Sequence, residues 1–539
     1  MYLRATGLVK SFGDNLILAG ASLLVNGGER VGLVGSNGCG KTTLLRILAG
    51  LDRPDSGAVE VSPPTARVGY LPQSLDPTGG ATVADALGPA GLAWALRPAI
   101  AAAADDLARA PASPEALASY AHLWERFDSA GGYLAAEHVE DALRGLGLAG
   151  LAPDTTLSTL SGGTRTRVAL AGLLAAQPDC LLLDEPTNYL DLPALEWLEE
   201  FVANYSGAVL VVSHDRTFLD RVVSRIVELD PATGQLASYA GGYTAYVAAK
   251  ARELEARWEA YERQQERVAE VEANIRAAES RARGIEQTTV NFYWRARARK
   301  VARAMVVRKR RLERELDREG RVEKPVAGWQ MLADFAPPAE SGRDVLVVEN
   351  LAVDYGERRV LAGLSLRVRR GERVVVTGAN GSGKTTLLRA IVGELPPTVG
   401  TIRLGAGVRP GYLAQGPQDL DPAATPLEIV RSAAPLDETE ARRFLHRFLF
   451  AGDEAFTLAG RLSYGERARL LLARLVLSGA NLLLLDEPLS HLDLPSRERF
   501  EAALLEFGGT LVAVLHDRYA IARLATRALR LEDGKLVDA

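Results

Sequence analysis

The chain has 539 residues, 47% of them hydrophobic, and a formal net charge of −5. That length excludes a single core, and roughly one domain per 150 residues predicts three or four units. Two cysteines, Cys39 and Cys180, are too few for a disulfide framework, an iron–sulfur centre or a Cys-based zinc site. The sequence has no run of about 18 apolar residues. Its start, MYLRATGLVKSFGD, lacks the order of basic, apolar and small residues that marks a signal peptide. A cytoplasmic protein with no integral membrane segment is expected.

In chain order, the first distinctive segment is GSNGCGKTTLLRILAG at 35–50, which returns 343 residues later as GANGSGKTTLLRAIVG at 378–393. GYLPQ, ending at Gln73, returns as GYLAQ ending at Gln415. LSGG with Ser161, LLLDEP with Asp184 and the His-Asp-Arg after His214 return around Ser463, Asp486 and His516, all 302 residues on. The chain is therefore a duplication. Its copies are expected at 1–243 and 345–539, separated by a linker over 244–324 and a connector over 325–344. The first copy carries about 40 extra residues between Gln73 and Ser161. They read as short amphipathic helices, an enlarged helical insert over about 85–157.

Within one copy, the strand-like RVGLVG, the glycine-rich turn and the helical TLLRILAG give the context of a phosphate-binding loop. Backbone N–H groups of Gly35, Ser36, Asn37, Gly38, Cys39 and Gly40 can converge on phosphate oxygens at the helix N-terminus. Lys41 reaches the β and γ phosphates, and Thr42, with Thr43 beside it, offers a hydroxyl to Mg²⁺. The second copy presents Gly378, Ala379, Asn380, Gly381, Ser382, Gly383, Lys384, Thr385 and Thr386 in the same roles. A glycine-rich turn that merely ends in Lys-Thr would account for one such segment but not for two with the same partners. Cys39 inside this loop reads first as a small packing residue and second as a thiol-sensitive position.

CLLLDEP is an apolar run, typical of a buried parallel strand, that ends in two carboxylates. A carboxylate at such a strand end is costly unless it meets a cation. Asp184 and Asp486 are the candidate Mg²⁺ partners, and Glu185 and Glu487 the candidates for polarising the attacking water. His214, after AVLVVS, and His516 could position the γ phosphate and that water. A further helix start at Ser161, Gly162 and Gly163, matched by Ser463, Tyr464 and Gly465, offers a second anion site. Each nucleotide is expected to be clamped between the two copies, one giving the loop and the other the cap.

The linker reads as two amphipathic helices. Leu254, Trp258, Tyr261, Gln265, Val268, Val271 and Ile275 recur at helical spacing over 245–283, a length of about 55–60 Å at 1.5 Å per residue. Val301, Met305, Arg308, Leu312 and Leu316 repeat the spacing as far as Gly320. The turn is expected between Gly284 and Trp294. Around it, Phe292, Tyr293, Trp294, Arg295, Arg297, Arg299, Lys300 and Arg303 combine aromatic rings with cations, and Glu286 is the one acid in 284–311. A solvated face would mix signs of charge, as the first helix does. This tip instead suits phosphates and stacked bases.

Phosphate loop, glutamine, Ser-Gly-Gly, Asp-Glu and His segments, in that order and twice, resemble the ATP-binding cassette (ABC) ATPases. LLLDEPTNYLD followed by SHDRTFLD is particularly similar to their soluble ABC-F branch. The resemblance implies an α/β fold with two P-loop ABC ATPase domains joined by a long antiparallel helical hairpin, hydrolysing ATP with Mg²⁺. It implies that Phe12 and Tyr355 stack on adenine and that Gln73 and Gln415 sense Mg²⁺ and the γ phosphate. It also implies two sandwiched sites in one monomeric chain, Lys41 with Ser463 and Lys384 with Ser161. The hairpin of this branch is expected to enter the ribosome near tRNA, so the implied partner is the ribosome, with its rRNA and tRNA. The role is then translation regulation or protection against antibiotics. The rival reading is the ATPase component of a transporter, docking separate membrane subunits near Gln73 and Gln415; such a motor has no need of a basic hairpin.

Some positions depart from the family pattern. Tyr464 stands for a glycine, Thr164 for Glu or Gln, Leu489 and Ser490 for Thr-Asn, and Leu515 for the Ser before the histidine. Unequal sites are expected, the one built from Lys41 and Ser463 being slowed by Tyr464.

Overall fold

The computed structural model describes the chain apart from residues 74–79, 112, 189, 289–291, 320–323, 325–341, 357, 415–419, 449, 451, 491 and 539, and apart from some side chains between 279 and 319 and that of Arg358. It forms two compact units, one of Met1–Thr244 with Met331–Ala539 and one of Ala245–Gln330.

In the first unit, the apolar runs Cys180–Asp184 and Ala208–Val212 are buried at every position and Arg30–Val34 at all but its first. That is the pattern of parallel strands covered on both faces. They occupy the middle of a six-stranded sheet ordered Val68–Leu71, Cys180–Asp184, Ala208–Val212, Arg30–Val34, Arg225–Leu229, Leu236–Ala240. Only the last strand is antiparallel to its neighbour. A smaller antiparallel sheet, with Tyr2–Phe12 between Asn15–Asn26 and Ser56–Ser62, shares its core with the helix Lys41–Leu48 and the central strands. The second copy repeats both sheets. Its large sheet runs Pro410–Leu413, Leu482–Asp486, Thr510–Val514, Arg373–Thr377, Arg527–Glu532, Lys535–Asp538, and its small one has Asp344–Tyr355 between Arg358–Arg369 and Val399–Leu404.

This order places the chemistry. In each copy the strand leading to the histidine lies between the strand leading to the phosphate loop and the strand ending in Asp-Glu. Because these strands are parallel, all three motifs emerge at one edge, the carboxyl edge where α/β sheets bind ligands.

The insert forms three helices, Gly88–Arg109, Pro114–Ser129 and Gly132–Gly145. They close on a separate small core of Ala93, Leu96, Ile100, Phe127, Ala130 and Ala136. Phe127 and Trp124 meet Tyr133 edge-on, with ring centroids 5.0 and 5.6 Å away. The Ala-rich first helix, at 22 residues, is longer than the short helices expected.

The second unit is the hairpin. The helix Tyr243–Thr288, whose first two residues belong to the first unit, has 46 residues, about 70 Å at 1.5 Å per residue. The helix Phe292–Glu319 follows. The turn is shorter than the segment expected from Gly284 to Trp294, and 289–291 lie outside the described residues. Gly284 does not end the helix, since one internal glycine costs only about 1 kcal/mol and the flanking residues are good helix formers. Phe292, Tyr293 and Trp294 consequently sit on the first turn of the second helix. Val271 is buried between Val268 and Ile275, as their spacing predicts. The side chains of Leu312 and Leu316, and positions 325–341 of the connector, lie outside the described residues. No helix among the described residues is long and apolar enough to cross a membrane.

Candidate active sites

Both phosphate loops adopt the same backbone. Gly35, Gly38 and Gly40 have φ of 156°, 77° and 108°, and Gly378, Gly381 and Gly383 have 144°, 78° and 106°. A Cβ on Gly40 would lie 2.2 Å from Ile17 Cγ2, so this left-handed position accepts only glycine. Cys39 is buried, its Sγ 2.8 Å from where a Cβ on Gly35 would fall, and burial raises its thiol pKa. The structure thus gives it a packing role. The Lys41 ammonium donates to the carbonyls of Gly35 and Ser36 at 2.8 and 2.9 Å, and Lys384 to those of Gly378 and Ala379, both at 2.8 Å. Burial lowers the pKa of Lys384.

Beside each loop stands a buried carboxylate. Asp184 Oδ2 and both oxygens of Asp486 are buried without a hydrogen-bond partner among the described residues. Burial raises both pKa values, and the hydroxyls of Thr42 and Thr385 lie alongside and partly offset it. Hard oxygen donors around an uncompensated buried carboxylate fit a small divalent cation shared with a phosphate. Gln73 is exposed just past the strand Val68–Leu71, whereas Gln415 lies outside the described residues.

Glu185 and Glu487 have φ of 54° and 48°, a left-handed conformation rare for a non-glycine residue and repeated in both copies. Each faces its histidine. His214 Nε2 is 3.0 Å from Glu185 Oε1, and His516 Nε2 is 3.4 Å from Glu487 Oε1. Their environments differ, the Glu185 side chain being 4% exposed and that of Glu487 22%. Burial pushes Glu185 up to about 7, although Arg497 and Lys41 pull it back. Glu487 is also raised by burial, but His516 and Lys384 outweigh this and leave it below the usual carboxylate range. Burial, with Arg497 and Lys41 adding to it, holds His214 well below its ordinary value.

The two copies meet head to tail. A cavity of about 660 Å³ is lined by Ser161, Gly163 and Thr164 of the first copy and by Lys384, Thr385 and His516 of the second. Gly162 is the first residue of the helix that follows Ser161. Thr43 and Thr386 are on the first turn after each loop. Across the interface, Asp493 Oδ2 accepts the backbone N–H of Asn37 at 2.9 Å and Asp191 Oδ2 that of Asn380 at 3.4 Å. Each of these aspartates uses its other oxygen to cap its own helix, so one carboxylate couples a helix start to the opposite phosphate loop.

The departures from the family pattern have local explanations. Ser463 forms a capping box with Glu466, and in the first copy the Thr164 hydroxyl meets Ser161 Oγ at 2.8 Å instead. Tyr464 begins the helix Tyr464–Leu477 and packs half-buried against the core of its own copy, next to the buried Gly465. Thr187 and Ser213 share a hydrogen bond of 3.0 Å, and at the two equivalent positions Leu489 and Leu515 are buried in one apolar cluster. One change has matched the other, which is nearly neutral where a single change is not. Phe12 and Tyr355 stand exposed at the ends of the strands Tyr2–Phe12 and Asp344–Tyr355, open to a planar ring.

Sequence reading missed the centre of the interface. Glu501 takes Arg216 of the first copy and, at 3.3 Å, Arg523 of its own. Glu199 takes Arg518 of the second copy and, at 2.9 Å, Arg221 of its own. All of these residues repeat at the 302-residue offset, a signal that was available in the duplication. At the hairpin tip, Phe292, Tyr293 and Trp294 are 84%, 64% and 49% exposed, and Arg297 lies over the Trp294 ring at 5.8 Å. Lys300 and Arg303 are exposed, while the side chains of Arg295 and Arg299 lie outside the described ones.

Several known proteins are similar to this chain. A family model described as "ABC transporter" matches residues 18–188 and 361–490, and a second of the same description matches 229–326. The tylosin resistance ATP-binding protein TlrC of Streptomyces fradiae is 40% identical over 98% of this chain and 97% of its own length. ABC transporter F family member 2 of Arabidopsis thaliana is 34% identical over 99% of this chain and 77% of its own. Among solved structures, an archaeal ribosome recycling factor, aABCE1, in complex with a stalk protein covers 98% of this chain with a TM-score of 0.63 and 20% identity, a likeness of fold.

Proposed function

The chain belongs to the ABC-F family of tandem-cassette ATPases, and from that premise we propose that it acts on the ribosome, entering with its basic hairpin when ATP closes the two cassettes and leaving after hydrolysis. ATP hydrolysis itself is the family's chemistry. In the proposed assignment Lys41 and Lys384 hold the phosphates, Glu185 and Glu487 polarise water, and His214 and His516 orient it. Thr42 and Asp184, with Gln73, and Thr385 and Asp486, with Gln415, are proposed to hold Mg²⁺, which would neutralise phosphate charge. Phe12 and Tyr355 would stack on adenine, and Ser161 and Ser463 would cap the nucleotide from the opposite cassette.

The observation that carries the ribosome reading is the hairpin tip, where three aromatic rings stand in solvent beside Arg297, Lys300 and Arg303. Exposed rings next to cations fit unstacked bases and phosphates. That the similar TlrC is a tylosin resistance protein supports protection against an antibiotic as one form of this role. A soluble, cytoplasmic monomer is the corresponding state.

The test is co-sedimentation of the Glu185→Gln, Glu487→Gln protein with ribosomes in ATP. Binding should weaken steeply with salt and fall at least tenfold when Arg297, Lys300 and Arg303 are replaced by Gln. Absence of binding at moderate salt, with an integral-membrane partner recovered instead, would favour the transporter reading.

A further inference from the structure

One buried position where the interface departs from the 302-residue pseudo-symmetry exchanges a cation for an apolar side chain. Where the second cassette has Arg497, the first has Leu195, and both are buried. Arg497 lies on the helix Leu494–Glu506, directly after Asp493. Its Nε donates to the carbonyl of Leu492 at 3.0 Å, and its Nη1 approaches Asp517 Oδ2 at 3.5 Å. The same Nη1 crosses into the first cassette and donates to the carbonyl of His214 at 2.8 Å. Arg497 therefore fixes the loop carrying the histidine that faces Glu185. Asp493, four residues earlier, holds the first phosphate loop through Asn37. One segment of the second cassette thus grips two parts of the first site. The Leu195 side chain has no donor with which to hold the His516 carbonyl, so the second site lacks this anchor.

We propose that Arg497 is a positioning residue given in trans to the Lys41 site, holding the His214 loop so that the Glu185–His214 pair is set only while the cassettes are closed. The Lys384 site has no equivalent, so the two sites respond differently to closure. This rests on the assignment of Glu185 and His214 to hydrolysis at the first site.

The test uses full-length protein with one site silenced at a time, measuring single-turnover ATP hydrolysis and ATP affinity. With Glu487→Gln silencing the second site, Arg497→Leu should slow the first site at least tenfold while ATP affinity changes less than about threefold. Arg497→Lys, which keeps a donor and a positive charge, should recover most of the rate. With Glu185→Gln instead, Arg497→Leu should slow the second site at least fivefold less than it slows the first. Equal slowing of the two sites, or a first-site change below twofold, overturns the proposal while leaving the catalytic assignment intact. If Glu185→Gln alone leaves first-site hydrolysis unchanged, the catalytic assignment fails and the proposal falls with it.

Discussion

Replacing Glu501 by Gln withdraws a negative charge from the middle of the cassette interface. Glu501 is fully buried, and its partner Arg216 from the other cassette is 1% exposed. Removing one side of a buried pair typically costs about 3–5 kcal/mol, because the remaining charge is stranded. Arg216 would retain Asp517 at 3.7 Å and the Tyr519 ring, whose centroid is 4.2 Å from the guanidinium carbon. The lower end of that range, about 3 kcal/mol, is therefore expected. Arg523 binds the same carboxylate but is 39% exposed, so Arg523→Ala should cost less than about 1 kcal/mol. Urea unfolding followed by circular dichroism, read at the first transition, measures both. A double-mutant cycle with Arg216→Met isolates the pair, and its coupling should reach about 2 kcal/mol. Coupling below about 0.5 kcal/mol, or an Arg523→Ala variant as unstable as Glu501→Gln, would refute the reasoning.

Three other expectations follow from the sites. Glu185→Gln and Glu487→Gln should each slow single-turnover hydrolysis at their own site by about 100-fold or more while retaining ATP affinity, as rapid-quench and equilibrium binding measurements would report. Leu489→Thr alone should lower stability by about 1–3 kcal/mol, the price of a buried hydroxyl without its mate; Leu515→Ser should cost less, because the equivalent Ser213 Oγ also accepts the Asp215 N–H at 3.0 Å, and the double variant should regain much of the Leu489→Thr loss. Burial raises the thiol pKa of Cys39 and carries that of Cys180 to about 12, so thiolate is disfavoured at both. Alkylation of native protein should be slow and should quicken with rising pH as thiolate forms, whereas urea should expose both thiols at once; fast native labelling of Cys39 would count against the packing role.

What the sequence disclosed, and what it hid, divides along a physical line. The phosphate loops were legible because glycine, lysine and threonine at fixed spacing act on one local backbone. The Asp-Glu strands were legible because burial on both faces leaves an uninterrupted apolar run. Asp191, Asp493, Glu199, Glu501, Arg216 and Arg518 read as ordinary polar residues of helix starts and surfaces, because their partners lie in the other cassette. Arg216 and Glu501 are 285 residues apart, and no local pattern encodes that meeting. The hairpin was legible as two helices, but the expected turn from Gly284 to Trp294 is too broad, since the first helix runs on through Gly284 to Thr288 and the second begins at Phe292. Tyr464, expected to slow the Lys41 site by standing for a glycine, packs half-buried against the core of its own copy, a contact its place in the sequence does not disclose.

The exchange of Thr187 and Ser213 for Leu489 and Leu515 also bears on how the two halves diverged. A chain carrying one altered member of the pair would leave the other hydroxyl without its mate, a loss that Ser213 meets in part because its Oγ also accepts the Asp215 N–H at 3.0 Å. An exchange of sequence between the two halves that preserved this packing would have to carry both codons together.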